Sequence, residues 1–248
     1  RSTLDRSSAA SDVYKRQQTT QCKSSEQETQ VQLAMKYYIA APFGNYLSRP
    51  NMYSVLGTYT VSPRPGLTQQ ILKTLRYNFH YKGWVNKLGL RNPGIDSALN
   101  QYYKQPNRRV ISVWGFNRNE WMTLARYTRG LRVELNLSCP NVNEPYHNTG
   151  CPVEEFGARY VILKMSPLTT EEEIVMYMER GVRNWHFSNT LPIAQGGLSG
   201  KTLMAYNKKL IKFTLGEDKN AKIIGGGGVT DMSDVRFYKD LGLSLIHI

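Results

Sequence analysis

The chain has 248 residues, 40% of them hydrophobic, and a formal net charge of +13. This composition is typical of a globular protein with a sizeable core, and no apolar run approaches the ~20 residues of a membrane-spanning helix. The three cysteines form no CxxC pair, which argues against a disulfide framework or a zinc site and favours a reducing, cytoplasmic location. The positive charge indicates anionic partners such as cofactor phosphates, an acidic substrate or nucleic acid.

The two ends of the chain look like one inverted DNA sequence translated in both directions. Codons that can encode residues 12–17, read as their reverse complement, give residues 243–248. Because this resembles a sequencing-library adaptor, residues 1–34 are predicted to be an artefactual or disordered extension and residues 243–248 an adaptor-derived tail. Residues 35–242 are then the expected domain, cut short after Gly242.

Seven short runs rich in β-branched and aromatic residues alternate with helical patterns. They cover residues 36–41, 53–61, 110–115, 132–138, 160–165, 184–188 and 221–225. This alternation predicts an α/β fold with a parallel sheet covered by helices. Seven such units look like a (β/α)8 TIM barrel truncated after the seventh βα unit, and a doubly wound open sheet fits the alternation equally well. The cut would leave the first and seventh strands with unpaired edges.

Two helices have recognisable boundaries. Thr169 and Glu172 offer a capping box for a helix that ends at Gly181, and a second helix is expected from about Asp231 to Leu241. Polar clusters follow three of the predicted strands, at residues 136–141, 188–190 and 225–228. In a barrel, all of these loops would open on the face where active sites lie.

Seven stretches, in a fixed order along residues 39–242, resemble the dihydroorotate dehydrogenase family of flavin enzymes. They are GTYTVSPRPG (57–66), WVNKLGLRNPGID (84–96), VELNLSCPN (133–141), VILKMSP (161–167), HFSNT (186–190), GGLSGKTL (196–203) and IIGGGGV (223–229). The resemblance implies a barrel that binds FMN and oxidises dihydroorotate to orotate in pyrimidine biosynthesis. It also implies an enzyme without stable membrane insertion, and it is compatible with a homodimer.

Cys139 is the candidate catalytic base. A thiol with an ordinary pKa of about 8.5 is usable as a base near neutral pH where the site favours thiolate. By resemblance, Cys139 removes the C5 proton of dihydroorotate while the C6 hydride passes to flavin N5. The alternative is a half-buried structural cysteine at a strand end, and the flanking Asn136 and Asn141 favour the catalytic interpretation.

Amide side chains suit a pyrimidine because each offers both donors and an acceptor to the imide edge of the ring. The resemblance implies that the substrate is bound by Asn86, Leu88, Gly89, Leu90, Asn136, Asn141, Asn189 and Thr190. The alternative is that the asparagines cap helices or close turns.

The same resemblance implies a set of flavin-binding residues and no metal. They are Thr58, Asn136, Lys164, Gly200, Gly225, Gly226, Gly227 and Gly228. Lys164 ends an apolar strand, where a buried ammonium needs an anionic partner. Reduced flavin would supply that partner, and a lysine that extends to solvent is the alternative. Consecutive glycines before a helix let backbone N–H groups approach the FMN phosphate.

The match to the family is incomplete at two places. Asn45 stands where the branch closest to GTYTVSPRPG has a substrate lysine, so the carboxylate of orotate would lack one cationic partner. Cys139 resembles the soluble class with a cysteine base, whereas SNT (188–190) and GGLSGKTL resemble the membrane-associated class with a serine base. Because no amphipathic N-terminal helix supports membrane attachment, a soluble enzyme is the preferred interpretation.

Three other interpretations stay open. A dihydropyrimidine dehydrogenase-like flavin reductase shares an ELNLSCP loop, and its uncharged substrate would not need a lysine at position 45. A nucleic-acid-binding barrel, as in tRNA dihydrouridine synthases, would explain the positive charge, although no nucleic-acid partner is expected. The third is an inactive gene fragment.

Overall fold

The computed structural model describes residues 35–137, 150–156 and 160–248, and it contains twelve strands in those ranges. The strands are β1 Lys36–Ile39, β2 Met52–Tyr59, β3 Arg76–Asn78, β4 Gly83–Asn86, β5 Arg109–Val113, β6 Arg132–Asn136, β7 Tyr160–Met165, β8 Asn184–Phe187, β9 Leu191–Ile193, β10 Gly196–Gly200, β11 Lys222–Gly225 and β12 Leu245–His247. The helices in those ranges are α1 Leu67–Thr74, α2 Ile95–Tyr102, α3 Arg118–Tyr127, α4 Glu171–Glu179, α5 Leu203–Glu217 and α6 Met232–Asp240. None of these helices combines the length and apolar character needed to cross a bilayer.

Eight of the strands form a closed parallel barrel in the order β1-β12-β11-β8-β7-β6-β5-β2. Each of the seven predicted strands overlaps one of these barrel strands, and helices lie between them in the sequence. The predicted (β/α)8 fold is therefore confirmed, and the alternative of an open doubly wound sheet is excluded by the pairing of the first strand with the last.

The eighth barrel position is filled, which corrects the expectation of a barrel left open after its seventh unit. β12 pairs with β1 at Lys36–Leu245 and with β11 at Ile224–Leu245. Unpaired strand edges expose N–H and C=O groups that need partners, and the segment that follows α6 supplies them as β12. Ile246 is completely buried there. The adaptor origin of residues 243–248 stays a prediction from the sequence.

The predicted helix boundaries are close to the observed ones. The capping box of α4 lies one residue later than predicted, because Thr169 N–H already bonds to Ser166 O. The N-cap is Thr170, whose hydroxyl accepts a hydrogen bond from Glu173 N–H while the Glu173 carboxylate accepts one from Thr170 N–H. Asp231 caps α6 in the same way, which confirms the second predicted helix.

The interior of the barrel has an apolar lower part and a polar upper part. A buried cluster of Tyr38, Val55, Val110, Ile162 and Ile224 fills the lower part. Alternate residues of a strand share a face, so two residues further along β5 and β7 the interior side chains are Ser112 and Lys164. The buried interior therefore becomes polar toward the carboxyl ends of the strands.

A second, four-stranded antiparallel sheet has the order β3-β4-β10-β9. The strands β3 and β4 belong to the connection between β2 and β5, and β9 and β10 follow β8. Val85, Leu191, Leu198 and Leu203 form its small core. Leu203 is the first residue of α5, so this sheet is packed against the start of a barrel helix.

Candidate functional site

Three of the predicted binding residues form a hydrogen-bonded chain at the carboxyl ends of the barrel strands. Asn136, the last residue of β6, donates from Nδ2 to Thr58 Oγ1 over 2.9 Å. Asn189, in the loop after β8, donates from Nδ2 to Asn136 Oδ1 over 2.9 Å. The Asn189 Oδ1 atom accepts from Thr190 N–H at 2.9 Å. The structure thus brings Thr58, Asn136, Asn189 and Thr190 together.

A buried acid, base and histidine lie on three adjacent strands beside this amide chain. Glu134 of β6 has its Oε1 3.9 Å from Lys164 Nζ and its Oε2 2.6 Å from His186 Nδ1. Lys164 is in register with Asn136 on one side and with His186 on the other. Glu134 and His186 are completely buried, and Lys164 is 7% exposed. The anionic partner that Lys164 required is therefore present within the protein.

The protonation states of this group follow from its burial. Burial alone raises the pKa of Glu134, but the Lys164 ammonium and the His186 ring outweigh it and lower that pKa to about 2. Burial lowers the pKa of His186. At neutral pH, Glu134 is therefore an anion and His186 is neutral. Because a carboxylate only accepts hydrogen bonds, the His186 proton lies on Nδ1 and is donated to Glu134.

A second histidine extends the same polar layer. The His247 ring packs edge-on against His186 with ring centroids 4.4 Å apart, and its Nδ1 lies 2.5 Å from Ser188 Oγ. Burial lowers the pKa of His247 well below its usual value. In the described part of the chain, this layer therefore contains the negative Glu134 and the positive Lys164, with two neutral imidazoles beside them.

The predicted glycine loop forms a narrow cradle next to Gly200. A methyl group on Gly228 would lie 2.6 Å from Lys201 Cα and 2.8 Å from Gly200 O, so only glycine fits there. Gly227 and Gly228 both have positive φ, at 81° and 80°. The structure thus places the two predicted phosphate-binding segments, Gly225 to Gly228 and Gly200, against each other.

Two side chains hold the carbonyl groups of this loop. Tyr238 OH donates to Gly226 O at 2.5 Å and to Gly227 O at 3.1 Å, and Asn207 Nδ2 donates to Gly226 O at 2.7 Å. In a planar trans peptide the N–H points away from the preceding C=O. The N–H groups of Gly227 and Gly228 therefore point away from Tyr238, and they could hold an anionic group such as a phosphate.

Another predicted substrate segment lies on the second sheet. Asn86 ends β4 in register with Gly197, and its Oδ1 accepts from Leu88 N–H at 3.4 Å. Gly89 and Leu90 follow with positive φ. The structure therefore places Asn86 on the second sheet, whereas Asn136 ends a barrel strand and Asn189 lies in the loop after another.

Asn92, which the sequence interpretation missed, anchors this segment to the barrel. Its Oδ1 accepts from Thr60 N–H, and its Nδ2 donates to Thr60 Oγ1 at 2.9 Å. Thr60 directly follows β2. The Asn-Pro pair at 92–93 is a turn signal that could have identified Asn92.

Asn45 makes structural hydrogen bonds at the position where a substrate lysine was expected. Its Oδ1 accepts from Gly57 N–H at 2.9 Å and from Tyr59 OH at 3.3 Å. Asn45 therefore supports the end of β2 next to Thr58 and carries no charge.

Two of the predicted site residues, Cys139 and Asn141, lie outside the described residues. The predicted roles of Cys139 as base and of Asn141 as substrate ligand stay predictions. Among the predicted residues inside the described ranges, the amides near Thr58, Lys164 and the glycine cradle are all at the carboxyl ends of barrel strands or in the loops that follow them.

Glu134 and His186 were not predicted from the sequence. A signal for Glu134 was available, because it precedes Asn136 by two residues and so shares its face of the strand. A charged residue between two buried apolar residues of a strand, here Val133 and Leu135, also needs a partner. The same reasoning applies to His186, which lies between Trp185 and Phe187 in β8.

Comparisons with known proteins agree with this geometry. No family model matches the chain. It is 24% identical over 200 residues to the catalytic subunit of dihydroorotate dehydrogenase B (NAD(+)) of Caldicellulosiruptor saccharolyticus, covering 68% of this chain and 66% of that protein. It is 28% identical over 202 residues to dihydroorotate dehydrogenase A (fumarate) of Lactiplantibacillus plantarum, covering 67% of this chain and 66% of that protein. The aligned part of this chain thus spans slightly less than two thirds of the length of these relatives.

A solved structure shares the fold. The crystal structure of DHODH from Eimeria tenella in complex with ferulenol has a TM-score of 0.64 and 16% sequence identity, covering 86% of this chain and 75% of that chain. The sequence relatives confirm the predicted resemblance to dihydroorotate dehydrogenases, and the solved structure confirms the fold.

Proposed function

We propose that this chain is the catalytic barrel of a dihydroorotate dehydrogenase and oxidises dihydroorotate to orotate with bound FMN. The observation that carries the proposal is the hydrogen-bonded chain of Thr58, Asn136 and Asn189, with Lys164 in register beside Asn136. In (β/α)8 enzymes the active site lies at the carboxyl ends of the barrel strands, and these polar residues lie there.

The residues present fit FMN. The Gly228 and Gly200 segments would hold the phosphate through backbone N–H groups, in a cradle that a side chain would fill. Lys164 would place its ammonium against the flavin ring. When bound, FMN supplies the acceptor for the hydride that leaves the substrate.

The amides would hold the pyrimidine ring of the substrate. Asn136 and Asn189 offer donors and acceptors that match the imide edge of dihydroorotate. Cys139 is the proposed base that takes the C5 proton. Support for a substrate of this class comes from the names of the relatives, which are dihydroorotate dehydrogenases that use NAD(+) or fumarate.

A second candidate substrate is favoured by Asn45. Its side chain is an uncharged amide whose Oδ1 accepts from Gly57 N–H and Tyr59 OH. Position 45 therefore offers no cation to a carboxylate. A dihydropyrimidine such as dihydrouracil, which has no carboxylate, would not need one.

Anaerobic mixing of the FMN-loaded protein with each substrate tests both candidates. Loss of the oxidised flavin absorbance with dihydroorotate, together with orotate formation, supports the first. Bleaching by dihydrouracil alone would support the second. Bound FMN that neither compound reduces would overturn both and leave an inactive fragment. Cys139→Ala should slow bleaching by dihydroorotate by at least 100-fold, and Cys22→Ala is the matched control that should not.

A further inference from the structure

The ion pair between Glu134 and Lys164 lies next to the proposed flavin site. We propose that Glu134 and His186 are positioning residues. Together they determine how much of the positive field of Lys164 acts on a cofactor at the barrel mouth. This inference rests on the proposed function and deepens it, because it assigns roles to two buried residues that the proposed reaction does not otherwise use.

The distances show that Glu134 forms a hydrogen bond with His186 but only an ion pair with Lys164. The 2.6 Å separation of His186 Nδ1 and Glu134 Oε2 is that of a strong hydrogen bond. The 3.9 Å separation of Lys164 Nζ and Glu134 Oε1 is too long for a hydrogen bond. The Glu134 carboxylate therefore interacts with the Lys164 ammonium through its charge. It does not accept a hydrogen bond from Lys164, whose N–H donors remain available to a ligand.

The surroundings make this charge effective. The apolar cluster of Tyr38, Val55, Val110, Ile162 and Ile224 lies below the polar layer. Neighbours of this group include the neutral His247, which packs against His186, the Ser112 hydroxyl beside Glu134, and the Asn136 amide in register with Lys164. Because charges interact strongly in such a weakly polarisable interior, one negative charge a few Å from Lys164 offsets much of its positive field.

The consequence concerns the reduction potential of a flavin bound beside Lys164. A reduced flavin carries more negative charge than an oxidised one, so the Lys164 ammonium favours reduction and the Glu134 carboxylate opposes it. Removing the Glu134 charge should therefore raise the potential. Removing the donor on His186 should let Glu134 move onto Lys164, which would withdraw the ammonium and lower the potential.

The test measures the midpoint potential of bound FMN, by reduction in the presence of a reference dye, in the full chain and its variants. We expect Glu134→Gln to raise the ratio of affinities for reduced and oxidised FMN about tenfold, which is about 30 mV for a two-electron couple. Glu171→Gln is the matched control, because Glu171 forms an exposed pair with Lys209 at 3.1 Å. It should leave the potential unchanged.

A second pair of variants keeps the test decisive if Glu134→Gln does not fold. His186→Leu removes the donor and should lower the potential, whereas His186→Gln retains an N–H donor and should restore it toward the wild-type value. FMN bound with the same potential in both His186 variants would overturn the inference. So would a lower potential in a folded Glu134→Gln variant. Failure of the wild-type chain to bind FMN would instead overturn the proposed function.

Discussion

Asn189 Nδ2 donates a 2.9 Å hydrogen bond to Asn136 Oδ1, and this contact joins the loop after β8 to the end of β6. Asn136 Nδ2 in turn donates a hydrogen bond to Thr58 Oγ1 at the end of β2. Three segments that are far apart in the sequence are thereby held as one polar surface. The orientation of each amide depends on its neighbour, so a change at Asn136 should affect all three.

Replacing Asn136 by alanine should therefore impair turnover without unfolding the barrel. The change removes the hydrogen bond from Asn136 to Thr58 and the one from Asn189 to Asn136. It also removes any contact that the Asn136 amide makes with the substrate. We expect kcat/KM for dihydroorotate to fall about 100-fold, corresponding to about 2–3 kcal/mol of transition-state stabilisation. Asn220→Ala, at an exposed turn, is the control and should stay within about twofold. A folded Asn136→Ala variant with unchanged kcat/KM would contradict the proposed site.

Gly228→Ala tests the phosphate cradle. The added methyl group would lie 2.6 Å from Lys201 Cα, so the loop must shift and its N–H groups would lose their alignment. We expect the dissociation constant of FMN, measured by quenching of flavin fluorescence, to rise at least tenfold, about 1.4 kcal/mol or more. Gly130→Ala separates this effect from backbone strain, because Gly130 also has positive φ, at 77°, but has open space around its Cα. It should destabilise the fold by about 1 kcal/mol and leave FMN affinity unchanged.

The buried histidines predict a pH dependence of stability. The pKa of His186 is lowered by burial from its usual 6.5, so the unfolded chain binds a proton below pH 6.5 that the folded chain does not. The stability that depends on His186 is therefore fully present above about pH 6.5 and decreases as the pH falls below it, by at most about 1.4 kcal/mol per pH unit for one histidine. Urea unfolding between pH 7 and pH 5 should show a shallower slope for His186→Gln than for the wild type. His80→Gln, at an exposed position, should keep the wild-type slope, and equal slopes in all three proteins would be inconsistent with a buried neutral His186.

Glu134 acts in a separate pH range. Its pKa is lowered from 4.5 to about 2 in the folded chain, so its contribution to stability is present above about pH 4.5 and is lost as the pH falls toward 2. The measurement between pH 7 and pH 5 therefore reports on the histidines.

Barrel closure by β12 predicts a large effect of Ile246 on stability. Ile246 is completely buried between β1 and β11. Ile246→Ala should lower the free energy of unfolding by about 2–5 kcal/mol. Ile248→Ala should cost less than about 1 kcal/mol, because that side chain is 41% exposed. Equal effects of the two substitutions would show that β12 does not close the barrel in solution.

The strands of the barrel were predictable because they are short apolar runs buried on both faces. The second sheet was not predicted, since its strands have three to five residues and one of them, Gly196–Gly200, contains three glycines. That stretch reads as a flexible loop in the sequence. In the structure it is a strand because Gly83 and Gly196 let neighbouring backbones approach closely: a methyl group on Gly83 would lie 2.3 Å from Ser199 O.

The eighth strand was not predicted because the inference about the adaptor removed residues 243–248 from the fold. A three-residue segment that follows a helix is nevertheless sufficient to pair with the two open edges. The site residues Thr58, Asn136, Lys164 and Asn189 were predicted through their resemblance to a family. Glu134 was missed because its partner Lys164 is distant in sequence, and only the register of β6 and β7 brings them together.

The apolar cluster at the bottom of the barrel, formed by Tyr38, Val55, Val110, Ile162 and Ile224, seals one end of the cylinder. Hydrocarbon side chains of this kind compensate a buried charge poorly. The charges of Glu134 and Lys164 therefore depend on each other and on the polar groups of their own layer, and a polar ligand bound above them would add to that compensation.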